Sequence, residues 1–128
     1  MNNAAALMQP EALSAAIHEL GEKVVTRLRT VFDPEIPVNI YDLGLIYKID
    51  INPVTETPVN IENSKYNVHI NMTLTTPNCP VAGQMPAMVQ NAVINLVEVE
   101  DVKVELVWDP PWDKTRMTDE AKLALNMF

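Results

Sequence analysis

Cys79 is the only cysteine in the 128-residue sequence, and its neighbours make it chemically interesting. It sits in Met72-Thr73-Leu74-Thr75-Thr76-Pro77-Asn78-Cys79-Pro80, where a strand pattern runs into a turn and then a helix. A thiol at a helix entrance lies near unpaired backbone N–H groups and the positive end of the helix dipole. That setting favours thiolate, which attacks electrophiles and binds soft metals. A free cysteine is also often buried and idle, so the rest of the chain must decide between the two.

Other residue types exclude several machines. With Ser14 and Ser64 as the only serines, and no elbow motif, a serine triad is ruled out. Gly21, Gly44 and Gly83 form no phosphate-binding loop, which argues against ATP or dinucleotides. His69 could serve as a base for Cys79. However, it lies ten residues upstream on the polar face of a strand, so spacing predicts a sheet-neighbouring histidine instead. Asp33, Glu35 and Asp42 belong to a proline-rich connection. Asp-Pro starts turns and loop carboxylates are usually solvated; a polar pocket with Cys79 requires the loop to fold back. Periodicity does not establish that convergence. Trp108-Asp109-Pro110-Pro111-Trp112 places both tryptophans around a diproline, as core cover for a sheet edge or as a partner-docking surface.

The elements that would position these residues follow from periodicity. Leu13, Ile17, Leu20, Val24, Leu28 and Val31 fall on one helical face after Pro10, a fitting first helical residue. Gly21 costs about 1 kcal/mol there and divides the stripe into a helix over 22–32 and another before it. Leu45, Tyr47, Ile49 and Ile51 alternate as a first strand, and 52–64 reads as a long hairpin loop. Tyr66, Val68, Ile70, Met72 and Leu74 alternate cleanly with polar residues as a second, half-buried strand. Val81, Met85, Met88, Ala92 and Leu96 make a helical stripe. Pro80 as its first residue would leave Pro86 kinking the helix at about 3 kcal/mol, so Pro86 is preferred as the start of the main helix. Val102, Val104, Leu106 and Trp108 alternate as a third strand, and Thr118 caps a short last helix.

The order α-β-β-α-β-α predicts an antiparallel hairpin, then a parallel pair joined by a crossover helix. This is a two-layer α/β (α+β) domain, with a small three-stranded mixed sheet and helices packed on one face. Residues 1–21 read as an N-terminal helical extension and 22–128 as the domain.

A net charge of −8 and scattered basic residues exclude nucleic acid as the main partner. No apolar run approaches a membrane span, Met1–Ala6 lacks the features of a signal peptide, and one cysteine allows no internal disulfide. Cytoplasm is the expected location.

Asp33-Pro34-Glu35-Ile36-Pro37, Asp42-Leu43-Gly44-Leu45-Ile46-Tyr47 and Thr73-Leu74-Thr75-Thr76-Pro77-Asn78-Cys79-Pro80 together resemble the SufT/PaaD-like family of iron–sulfur assembly proteins. Trp108-Asp109-Pro110-Pro111-Trp112, followed by Met117 and the last helix, looks most like the SufT-type branch. The resemblance covers roughly residues 22–128. It implies a maturation factor, not an enzyme, acting as adaptor or transient cluster-transfer protein through a Cys79/acidic pocket. Carried over, Asp33, Glu35, Thr75, Thr76 and Cys79 line that pocket; Cys79 is the candidate cluster ligand and Glu35 a second candidate. Trp108 and Trp112 are the expected partner-binding residues. The implied partners are the assembly machinery and client apoproteins, with a homodimer as a reasonable state.

The C-terminal cysteines of the PaaD branch, which serves an oxygenase complex, are absent, and the 52–64 loop is longer than is usual in the family. Clusters held by protein thiolates normally use four cysteines, so one Cys per chain implies a transient iron–sulfur cluster rather than storage. The competing reading is a small thiol-dependent enzyme with Cys79 as nucleophile and Glu35 or Asp33 orienting it. A pure protein-binding module with a structural cysteine is the third.

Overall fold

The computed structural model describes residues 10–33, 36–54, 65–75 and 84–125. Helix α1 (Pro10–Leu28) is continuous, where the stripe had suggested two helices with the second reaching residue 32. Gly21 takes an ordinary helical place in it, where even an added Cβ would only touch Ile51 of the first strand at 3.8 Å. Leu20, Val24 and Leu28 are buried on the inner face, and Ile17 packs against them. The helix therefore passes straight through the 21/22 boundary.

Strands β1 (Ile46–Pro53), β2 (Tyr66–Met72) and β3 (Val99–Leu106) form a sheet in the order β1-β2-β3. β1 and β2 are antiparallel; β2 and β3 are parallel. Helix α2 (Met85–Ile94) packs on β3 and against α1, and α1 contacts β1. Both helices therefore cover the same sheet face, which makes the expected two-layer α+β domain. Every apolar residue expected on the inner face of β2 is buried.

Three periodicities shift in detail. A bulge between Ile46 and Lys48 puts Ile46, Ile49 and Ile51 on the core side and takes Tyr47 out of the alternation. In α2 the buried positions are Met85, Val89 and Val93, while Met88 turns outward. Adjacent Met88 and Val89 are equally apolar, so spacing alone does not select the face. β3 ends at Leu106, which leaves Trp108 outside the strand and exposed. Pro86 lies in the first turn of α2, as preferred. Thr118 caps helix α3 (Asp119–Ala124) by accepting a hydrogen bond from the Ala121 N–H.

Candidate functional site

The site begins where α1 ends. Asp33 is buried, and its carboxylate accepts the Ile36 N–H at 2.9 Å. The Asp33 N–H donates to the Val38 carbonyl, beside an antiparallel bridge between Phe32 and Asn39. Asp33 therefore anchors the proline-rich connection from within, as an Asx-type turn residue does.

The next turn is fixed by a reciprocal pair. Asn39 Oδ1 accepts the Asp42 N–H, and Asn39 Nδ2 donates to the Asp42 carboxylate, both at 2.9 Å. Arg29 at the end of α1 reaches Asp42 at 3.5 Å and lies over the Tyr41 ring. Gly44 closes the turn with a φ of +87°, and a Cβ there would run into the Arg116 backbone.

That close approach belongs to a wider junction. The Trp112 indole N–H donates to the Leu43 carbonyl at 2.7 Å, and the Tyr47 hydroxyl donates to the Pro110 carbonyl at 2.8 Å. The Thr118 N–H donates to the Asp42 carbonyl, and Arg116 stacks over Tyr47 at 4.6 Å. Burial raises the Tyr47 hydroxyl above its ordinary 10.0, with Arg116 working against it, so the phenol keeps the proton it donates. Asp113, held below its usual range by the Thr115 hydroxyl and N–H, caps the 3-10 turn Lys114–Arg116. Two segments that look independent in the sequence, 41–47 and 110–118, thus form one unit.

Beyond this unit, the Val107 N–H donates to the Met72 carbonyl, carrying the tryptophan segment across the end of β2. A cavity of about 160 Å³ lies there, lined by Thr73, Leu74, Thr75, Trp108, Pro111 and Trp112. Thr75 therefore shares its surroundings with Trp108 and Trp112, which joins one expected pocket residue to both expected partner-binding residues. Asp33 does not line this cavity. Glu35, Thr76 and Cys79 lie outside the described residues, so the rest of the expected pocket does too.

Thr73 went unremarked in the sequence beyond its place on a polar face. It is fully buried, and among the described residues its hydroxyl has no hydrogen-bond partner. Asn71 Oδ1, two residues earlier on the same face, shares that condition. The diproline between the tryptophans was the signal that something rigid covers this end of the sheet. His69 instead pairs with Glu105 of β3 at 2.8 Å, a sheet neighbour as its spacing predicts. Among the described residues, no three His, Cys, Asp or Glu side chains form a metal-binding group. No described helix is long and apolar enough to cross a membrane.

The chain that builds this two-layer domain has recognisable relatives. Residues 21–106 match the family described as iron–sulfur cluster assembly protein, and the chain belongs to that family. It is 43% identical over 107 residues to an Fe-S protein maturation auxiliary factor of Porphyromonas gingivalis, covering 84% of this chain and 91% of that protein. It is 34% identical over 97 residues to the Fe-S protein maturation auxiliary factor SufT of Staphylococcus aureus, covering 76% of this chain and 98% of that one. A solved structure of a domain of unknown function from Bacillus anthracis superposes with a TM-score of 0.68 at 36% identity, covering 87% and 95% of the two chains.

Proposed function

We propose that this protein matures iron–sulfur proteins as an adaptor or transient transfer factor, making contact with clusters and clients instead of turning over a substrate of its own. The observation that carries this reading is the shared cavity of Thr75, Trp108 and Trp112 at the end of β2. Thr75 precedes Cys79 by four residues in the sequence, so a docking wall and a soft ligand belong to one stretch of chain. Cys79 is the proposed cluster ligand, with Glu35 as a second, and Asp33 and Thr76 complete the proposed pocket. One thiolate per chain falls short of the four that normally hold a cluster, so remaining ligands must come from a client, an assembly partner or a small thiol. The cluster is cargo. Family membership and the relatives' names support assembly proteins and client apoproteins as partners.

Anaerobic cluster reconstitution of wild type and Cys79→Ser tests this, alongside the activity of iron–sulfur enzymes in iron-limited cells carrying each form. The expected result is iron uptake and client activity that both depend on Cys79. Full client activity with Cys79→Ser would overturn the transfer role. Turnover of a substrate by metal-free wild type, lost in Cys79→Ser, would establish the thiol enzyme instead.

A further inference from the structure

The two edges of the sheet differ. β3 presents Glu100, Asp101, Lys103 and Glu105 to solvent, and Gln90 donates to its Val102 carbonyl. Such a charged and partly capped edge resists pairing. β1 is the other edge, and among the described residues no strand lies beyond it.

The phase of its hydrogen bonding is set by Val54, whose N–H donates to the Lys65 carbonyl directly opposite. In an antiparallel ladder bonded pairs alternate, so Lys48, Asp50 and Asn52 turn their backbone groups toward β2. Ile49, Ile51 and Pro53 turn theirs outward. Pro53 has no N–H to offer, which limits any outer ladder to the stretch before it. Beside this edge lies an open groove of about 740 Å³, whose apolar lining includes Ile17, Val25, Ile49 and Ile51.

We infer that this edge pairs with a second copy of the same chain, β1 antiparallel to β1 about a two-fold axis at Ile49. The charges choose the register. With Ile49 opposite itself, Lys48 faces Asp50 of the other copy, and the same contact repeats across the axis. Moving the axis to Asp50 would set two aspartates face to face, which is unfavourable. The Ile49 register also makes an outward-facing residue the central bonded pair, and two Ile49–Ile51 strips meet along the grooves. Lys48 and Asp50 already lie within 3.6 Å of one another in the single chain, so pairing makes an alternating array of four charges.

The pairing has a consequence for the maturation site. Antiparallel β1 strands make the two β2 strands antiparallel as well, so their Thr75 ends lie at opposite ends of a six-stranded sheet. Two such sites serve two cargoes and do not combine on one.

Sedimentation velocity of the full chain, with reductant present and across micromolar concentrations, tests the inference through a charge exchange. Lys48→Asp and Asp50→Lys alter exposed side chains, so circular dichroism should remain that of wild type. Each single change turns two attractive contacts into repulsive ones and should weaken dimerisation roughly tenfold. The double exchange Lys48→Asp/Asp50→Lys should return the affinity to within about twofold of wild type. A wild type monomeric at every concentration overturns the inference. So does a dimer indifferent to either single change, or one that the double exchange leaves weak.

Discussion

The Trp112 indole N–H reaches across 69 positions of sequence to donate to the Leu43 carbonyl, which makes a tryptophan of the C-terminal segment part of the Asp42-Leu43-Gly44 turn. This one bond ties the two motifs to each other. The turn offers a carbonyl in a buried position, and the indole offers a donor on a rigid aromatic body.

Trp112→Phe keeps most of the aromatic surface and deletes the donor. The Leu43 carbonyl then loses its partner, and stability should fall by about 1–2 kcal/mol. Urea unfolding measures this directly. Trp108→Phe, at an exposed ring with no comparable bond among the described residues, should change stability by under about 0.5 kcal/mol.

The two described glycines should respond oppositely to alanine. At Gly44 a Cβ meets the Arg116 backbone while φ is +87°, so steric clash and left-handed strain add. Gly44→Ala should cost more than about 2 kcal/mol. At Gly21 the added methyl would sit 3.8 Å from Ile51, an ordinary contact inside a helix. Gly21→Ala should stabilise by about 0.5–1 kcal/mol. Thermal melting of the two variants reads both signs.

Thr73 tests whether its buried hydroxyl serves the cavity. Valine has the same shape and removes the unpartnered group, so Thr73→Val should raise stability by about 1 kcal/mol. A loss of stability would show instead that the hydroxyl is paired in solution.

Lys23 and Glu98 tie α1 to the start of β3, and their pairing predicts two pH limits. The hydrogen bond from Lys23 holds Glu98 below its ordinary 4.5. Its contribution is present above 4.5 and is lost as pH falls through the lower folded value. The hydrogen bond to Glu98 raises Lys23 above 10.5, so that contribution is present below 10.5 and fades as pH climbs through the higher folded value. Glu98→Gln should flatten both the acid and the alkaline limb of a denaturant stability profile.

The sheet was legible because β2 alternates without interruption and its flanking elements leave few ways to arrange the rest. The junction between 41–47 and 110–118 was not legible in the same way. Its bonds, from side chains and from the Thr118 N–H, all end on backbone carbonyls, which carry no residue type for a pattern to show. Tyr47 illustrates the difficulty: it continues the alternation of Leu45 and Ile49 in the sequence, yet the bulge assigns it to Pro110 and Arg116. Thr75 and the tryptophans were each picked out as functional, but only tertiary structure brings them to one cavity.

The stretch matched to the family stops at residue 106, while the covering wall of the cavity lies at Trp108, Pro111 and Trp112. The stretch matched to the family and the cavity's anatomy therefore have different borders here. A fragment trimmed to the matched stretch would keep all three strands and α2, but only residues 21–28 of α1. It would also uncover the buried hydroxyl of Thr73 and strip the Leu43 turn of its indole, leaving the sheet without a roof.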